Sequence, residues 1–169
     1  MKFFSLLTSL IILISSTTWA QDPYNDIAVN FKVVGAKIPN FLLKTQDGQL
    51  HNNKDFKKDS YLLLMMFNPM CGHCEIATDS IEAHLDEFKK SRFLLFVYPN
   101  HEADMPVFNK THKIDQYPNL LVGADSFKVT DRLFTYQGLP QINVYNKERK
   151  LIKIFNGDIY IDSIKAYLK

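Results

Sequence analysis

Cysteine is scarce in this chain of 169 residues: there are two, Cys71 and Cys74. A framework of several structural disulfides is therefore excluded, and a structural zinc site, which needs four ligands, does not close on two thiols. Tryptophan occurs once, at Trp19. No apolar run reaches the ~18–20 residues of a membrane span. The 20 basic residues are scattered, none in a block longer than a pair, and the net charge is +2. Such a weak field excludes nucleic acid or an anionic membrane as an electrostatic partner. Repeats, low-complexity linkers and a second domain are also absent. What remains is one domain with a sizeable core, at 46% hydrophobic and 22% charged residues.

The first 20 residues stand apart. Met1-Lys2 gives a minimal basic start, Phe3 to Ile14 is apolar apart from Ser5, Thr8 and Ser9, and small residues follow to Ala20. Thr18 and Ala20 suit the −3 and −1 positions of a cleavage site. This pattern predicts a secretory signal peptide over 1–20, with an uncleaved anchor as the alternative. No cysteine lies near the cleavage point, so a lipid anchor is not available. Export to a periplasmic or secreted location follows, without stable membrane insertion after cleavage.

Residues 21–33 read as a flexible N-terminal segment, and 34–169 as the folded domain. Ile38 to Leu50 reads as a β-hairpin turning at Asp47-Gly48. Tyr61 to Phe67 is a continuous apolar run, the pattern of a strand buried on both faces. Ala77, Ile81, Leu85 and Phe88 then recur at helical spacing, predicting an amphipathic helix of about 16 residues. Phe93 to Tyr98 is a second buried strand, so strand, helix and strand form a βαβ unit in a parallel sheet. Glu102 to Lys113 predicts a helix with Pro106 in its first turn. Tyr117 to Gly123 reads as a short strand or extended piece. Asp125-Ser126 caps a further helix ending near Leu133. Gln141–Tyr145 and Lys150–Phe155 form a closing hairpin, and Ile159 to Leu168 a last helix.

The two cysteines lie between the first buried strand and the helix, in Met70-Cys71-Gly72-His73-Cys74. A disulfide stabilises chiefly by closing a long loop in the unfolded chain, and a C-x-x-C ring closes almost nothing. The pair makes chemical sense if it opens and closes. A nucleophilic sulfur must be a thiolate, and the positive end of a helix favours the anion. Cys71 is the predicted nucleophile. Cys74, one turn along, is the predicted resolving thiol, and the two form the redox disulfide. Gly72 lets a partner's backbone approach, and His73 can donate a hydrogen bond or place positive charge beside the sulfur. Met70 offers a soft, adaptable contact. His51, His84, His101 and His112 are dispersed and read as surface or half-buried residues. No metal or other cofactor is assigned.

Ile38-Pro39-Asn40-Phe41, Asp47-Gly48, Phe67-x-x-x-Cys71-x-x-Cys74, Gly138-Leu139-Pro140 and Gly157 together resemble the TlpA/ResA-like branch of the thioredoxin superfamily, over roughly residues 34–168. The resemblance implies an α/β thioredoxin-like fold: a central mixed sheet flanked by helices, with an N-terminal β-hairpin and an inserted segment between Pro99 and Leu139. It implies that Pro140 is a cis-proline facing the cysteines and that the backbone of Leu139 pairs with substrate. It also implies an exported thiol–disulfide oxidoreductase acting as a reductase, with protein thiols or disulfides as substrates and a membrane or periplasmic electron-transfer partner. Two departures stand out. Met70 occupies the usual place of a tryptophan, and Tyr61–Phe67 holds no buried acid to shuttle protons. Gly72-His73 resembles the dipeptide of disulfide isomerases, so an oxidase or isomerase remains open. So do a Cu(I)-binding protein using Met70, Cys71, His73 and Cys74, and an interaction domain with a vestigial motif. The Pro-x-x-x-Thr-x-x-Cys arrangement of the superfamily's peroxidases is absent.

Overall fold

The computed structural model describes residues 29–168 apart from 57, 58, 89 and 127. The expected signal peptide over 1–20 and most of the expected flexible segment lie outside the described residues.

The strands are β1 (Leu42–Lys44), β2 (Leu50–Asn52), β3 (Tyr61–Phe67), β4 (Ser91–Val97), β5 (Leu120–Asp125), β6 (Gln141–Tyr145) and β7 (Leu151–Asn156). The helices are α1 (Gly72–Ala83), α2 (Met105–Thr111), α3 (Thr130–Leu133) and α4 (Ile161–Lys165). All seven strands form one sheet in the order β2-β1-β5-β4-β3-β6-β7. β3, β4 and β5 run parallel, and the other pairings are antiparallel.

The period of two along β3 sorts its side chains between two cores. Leu63, Met65 and Phe67 face one core, which α1 closes with Ala77 and Ile81, α2 with Met105 and Phe108, and α4 with Ile161 and Ile164. Leu62, Leu64 and Met66 face the other, closed by Val129, Leu133 and Phe134 at α3 and by Ile38 and Phe41. Leu62 to Phe67 are all buried, and each such side chain contributes ~1.5–3 kcal/mol relative to exposure.

Several sequence expectations change in detail. The helix after the cysteines is 12 residues long, followed by a 3₁₀ turn at Leu85–Phe88. The break falls at His84, whose ring Nδ1 lies 2.7 Å from the Ser80 carbonyl oxygen. That carbonyl would otherwise take the His84 backbone N–H, which bonds instead to the Ile81 oxygen. Leu85 and Phe88 stay buried, so the apolar spacing survives the tighter turn. The hairpin is shorter than Ile38–Leu50. Gly48, at φ 84°, turns the chain between Lys44 and Leu50. Ile38 belongs to the strap that crosses the second core, where its N–H bonds to the Arg149 oxygen. The helix expected over Glu102–Lys113 begins as a 3₁₀ turn at Glu102–Asp104 and becomes α2, with Pro106 in its first turn as expected.

The inserted segment supplies β5 and α3. β5 pairs β4 on one side and β1 on the other, which stitches the N-terminal hairpin to the sheet. This join depends on Gly123. A Cβ there would stand 2.7 Å from both Leu43 Cγ and the Lys44 oxygen. The helix expected to start at a cap on Asp125-Ser126 begins later: Val129 is the N-cap of the single-turn α3, and Asp125 Oδ2 reaches it from the end of β5, accepting from the Thr130 N–H at 2.8 Å and the Thr130 hydroxyl at 3.0 Å.

Candidate functional site

Strand register brings three loops to one end of the sheet. Phe67 pairs with Val97, Val97 with Ala124, and Met66 with Gln141. The chain leaving β3 (Asn68–Cys71), the chain leaving β4 (Tyr98–His101) and the chain entering β6 (Gly138–Pro140) therefore share an edge. A backbone bond from the Tyr98 N–H to the Phe67 oxygen, at 2.7 Å, continues the β3–β4 pairing one step beyond the strands.

Cys71 is the N-cap of α1, with an extended backbone (φ −99°, ψ 116°). Its carbonyl accepts from the N–H groups of Cys74 and Glu75, so the helix starts on the residue that carries the first sulfur. The two thiols differ sharply. Cys71 is half-buried, whereas Cys74 is fully buried, beside Ala77 in the first core. Burial pushes the Cys74 thiol up to about 12, and its hydrogen bond to Cys71 adds to the shift. The Asn68 backbone N–H opposes these effects by favouring the anion. Both cysteines are free thiols.

Of the predicted contact residues, Met70, Gly72 and His73 flank Cys71 in the chain and are exposed. Met70 is 70% exposed although it precedes a half-buried cysteine. Gly72 and His73 are exposed on the first turn of α1, and a Cβ at Gly72 would meet nothing within 4 Å. The Leu139–Pro140 peptide is cis, as the resemblance implied. Leu139 is half-buried and packs against both cores. The Pro140 oxygen accepts from the Gly157 N–H at 3.0 Å, which anchors the cis-proline turn to the end of β7. Glu75, next to Cys74, is exposed on α1.

Three polar groupings escape the sequence patterns. The first is in β6, where alternation alone would send Gln141 and Asn143 to solvent. Both are fully buried. Gln141 Oε1 accepts from the N–H and hydroxyl of Thr135, its amide donates to Asn143 Oδ1, and the Asn143 amide donates to the Leu133 oxygen. The group ties the end of α3 to the strand that begins at Pro140. The second is His112, which is buried rather than superficial: its Nδ1 lies 3.2 Å from both Asp79 Oδ1 and Glu82 Oε1. Burial, with the Asp79 carboxylate adding, pushes Glu82 up to about 7. These three side chains present ligand atoms within 4.8 Å of one another, a donor set that could take a divalent cation. The same contacts join the end of α2 to α1, while Glu82 Oε1 makes no hydrogen bond. The third is Asn68, whose Oδ1 accepts from the Met70 N–H at 2.8 Å, whose backbone oxygen accepts from the Cys71 N–H at 3.0 Å, and whose Nδ2 lies 3.3 Å from His101 Nε2. A sequence signal existed for this one. Asn68 stands three residues before a cysteine in a turn, and His101 follows a strand ending in Pro99-Asn100, at the carboxyl end of a parallel sheet where sites gather.

A family model for the AhpC/TSA family matches residues 34–153. No curated protein gives a significant match. Among solved structures, the thioredoxin domain of a thiol-disulfide oxidoreductase from Bacteroides vulgatus is 20% identical. The match covers 81% of this chain and 99% of that one, at a TM-score of 0.64. The exposed lipoprotein thioredoxin of Streptococcus pneumoniae is 24% identical, over 76% of this chain and 96% of that one, at 0.59. A peroxiredoxin-like protein from Aquifex aeolicus is 14% identical, over 80% and 86%, at 0.65. These likenesses establish a thioredoxin-like fold.

Proposed function

We propose, for a chain that belongs to the AhpC/TSA family of thioredoxin-like oxidoreductases, that it is an exported enzyme exchanging disulfides with protein thiols through Cys71 and Cys74, working as a reductase. The observation that carries this reading is the contrast between the two sulfurs. One is half-buried at a helix N-terminus with Met70 and His73 exposed beside it. The other is fully buried and bonded to the first.

In this mechanism the Cys71 thiolate attacks one sulfur of a substrate disulfide, and the other substrate sulfur leaves as a thiolate. The product is a mixed disulfide at Cys71. Cys74 then gives up its proton and attacks the Cys71 sulfur. The second substrate sulfur leaves, so the substrate gains two electrons and the protein holds the Cys71–Cys74 disulfide. A dithiol donor at the membrane or in the periplasm restores the reduced pair. Met70, Gly72, Leu139 and Pro140 form the substrate contact, with His73 at the sulfur.

Export rests on the sequence of residues 1–20. Among the described residues no helix is long and apolar enough to cross a membrane. A peroxidase is disfavoured within the family: Leu64 and Asn68 precede Cys71, and Phe67 and Cys71 precede Cys74, where Pro and Thr would stand. A second reading, an oxidase or isomerase, draws on the exposed His73 beside Gly72.

A redox titration of the protein without residues 1–20 in glutathione buffers, with thiol trapping read by mass, tests the proposal. The expected result is one two-electron couple, more reducing than about −230 mV, and its loss in Cys71→Ser. A couple near −180 mV would favour the isomerase. Stoichiometric Cu(I) uptake without a reversible couple would overturn the enzyme reading.

A further inference from the structure

Beyond the pair itself, the structure assigns a positioning role to His101: oriented by Asp104, it holds Asn68 and through it the loop that carries Cys71 and faces Cys74. This rests on the reading of Cys71 and Cys74 as the redox pair.

The polarity of the chain is fixed from both ends. At one end the Asp104 carboxylate Oδ2 lies 3.3 Å from His101 Nδ1. A carboxylate only accepts, so Nδ1 carries the proton and Nε2 keeps its lone pair. At the other end the Met70 N–H donates to Asn68 Oδ1 at 2.8 Å. A backbone N–H only donates, so the Asn68 amide must turn its oxygen to Met70 and its NH₂ to His101. The two requirements meet at the 3.3 Å contact between Asn68 Nδ2 and His101 Nε2, one a donor and the other an acceptor. Asn68 in turn reaches both sulfur-bearing residues. Its backbone oxygen receives the Cys71 N–H, and its backbone N–H favours the Cys74 anion, the form that Cys74 must reach to resolve a mixed disulfide.

The ring is seated independently of these side chains. The His101 N–H bonds to the Tyr98 oxygen, the Asp104 N–H to the His101 oxygen, and the Tyr98 ring lies 6.0 Å from the imidazole. The groups facing the ring are Asp104, the Asn68 amide and Tyr98. Glu102, nearby, is turned to the Asn100 N–H. When the imidazole gains its second proton, Nε2 becomes a donor and opposes the Asn68 NH₂ group. The link then breaks while Asp104 holds the cation in place. A neutral His101 thus tethers the active-site loop, and a doubly protonated one releases it.

The test uses the protein without residues 1–20 and an oxidised cystine-bridged peptide as probe, with rates of mixed-disulfide resolution read from pH 5 to 8. His101→Gln keeps an acceptor of similar reach but cannot titrate. It should stay within about threefold of wild type at pH 8 and lose only the part of the acidic decline that exceeds the fall in thiolate common to every variant. His101→Phe should be slowed about tenfold throughout, below the ~100-fold that a 1 Å misplacement of a reacting group can cost. Asp104→Leu removes the acceptor that holds the proton on Nδ1 and should slow resolution toward the His101→Phe value. Thermal unfolding confirms that each variant is folded. Independently of any activity, the Asn68 side-chain NH₂ resonances of the reduced wild type should shift with the His101 titration. Unchanged pH profiles in all three variants, or Asn68 resonances blind to pH, would overturn the inference. Loss of a reversible couple in the wild type would instead remove the redox reading and leave the Asn68 resonances to decide the tether.

Discussion

The two ends of the central sheet meet the same requirement with opposite chemistry. At the end where β3 begins, Arg149 is 6% exposed, and its guanidinium donates to the Ser60 oxygen at 2.7 Å and the Phe56 oxygen at 3.2 Å. At the end where β3 finishes, neutral amides and a half-buried imidazole hold the chain around two thiols. Both ends must satisfy backbone groups that strands and helices leave over. Arginine does so permanently, since it keeps its charge at any pH the protein meets. Asn68, His101 and Gln141 do so with groups that can turn, titrate or shift. The first end is built for stability. The second keeps its sulfurs addressable.

That contrast can be broken or sharpened. The largest effect belongs to the sulfurs. Cys74→Ser should leave attack at Cys71 intact and stop resolution, so a mixed disulfide with glutathione accumulates and is seen by mass; release at the wild-type rate would show that Cys74 is not the resolving group. Next, Arg149→Met removes a buried donor that serves the Ser60, Phe56 and Asn146 oxygens at the closed end. A loss of about 2–4 kcal/mol in denaturant unfolding is expected, from about 1–3 kcal/mol per unsatisfied group, with no change in the redox potential. A shifted potential would mean that the two ends are not separable.

Gln141→Leu should cost about 1–3 kcal/mol, because the Thr135 N–H and hydroxyl lose their acceptor. Unlike Arg149→Met, it should also alter reactivity toward a peptide substrate, since the network leads into Leu139-Pro140. Equal loss of stability with unchanged reactivity would separate the network from the site.

The smallest expected effect is pH-dependent and lies between the ends, at the α1–α2 contact. The Glu82 carboxyl is raised from 4.5 to about 7 in the folded protein. A raised folded-state value stabilises fully below the unfolded value and is lost as pH rises through the folded one. Stability should therefore fall by about 1–2 kcal/mol between pH 4.5 and 8, and Glu82→Gln should flatten that slope in thermal unfolding. A slope that persists in the variant would place its origin elsewhere.

The sequence made part of this legible through periods and turn residues. The unbroken apolar run of β3, the spacing of Ala77 and Ile81, and Asp47-Gly48 each signal one local structure, and the structure has them. The break of α1 at His84 was not legible, because the 3.6-residue spacing of Leu85 and Phe88 continues through it and only a side-chain bond to Ser80 ends the regular helix. Burial of Gln141 and Asn143 was hidden for a related reason: an alternating strand shows which residues share a face but not what covers that face. The closeness of His112 to Asp79 and Glu82 spans about thirty residues of sequence, and no local pattern encodes it.

By itself, then, the sequence determined the strand, the two cysteines and the helix that follows them, because these are neighbours along the chain and their spacing is their geometry. Tertiary structure decided which thiol is buried, which histidine reaches Asn68 and which amides support the turn at Pro140. Each of those depends on strand register and on what packs over a face, and register is set by pairings between residues far apart in the chain.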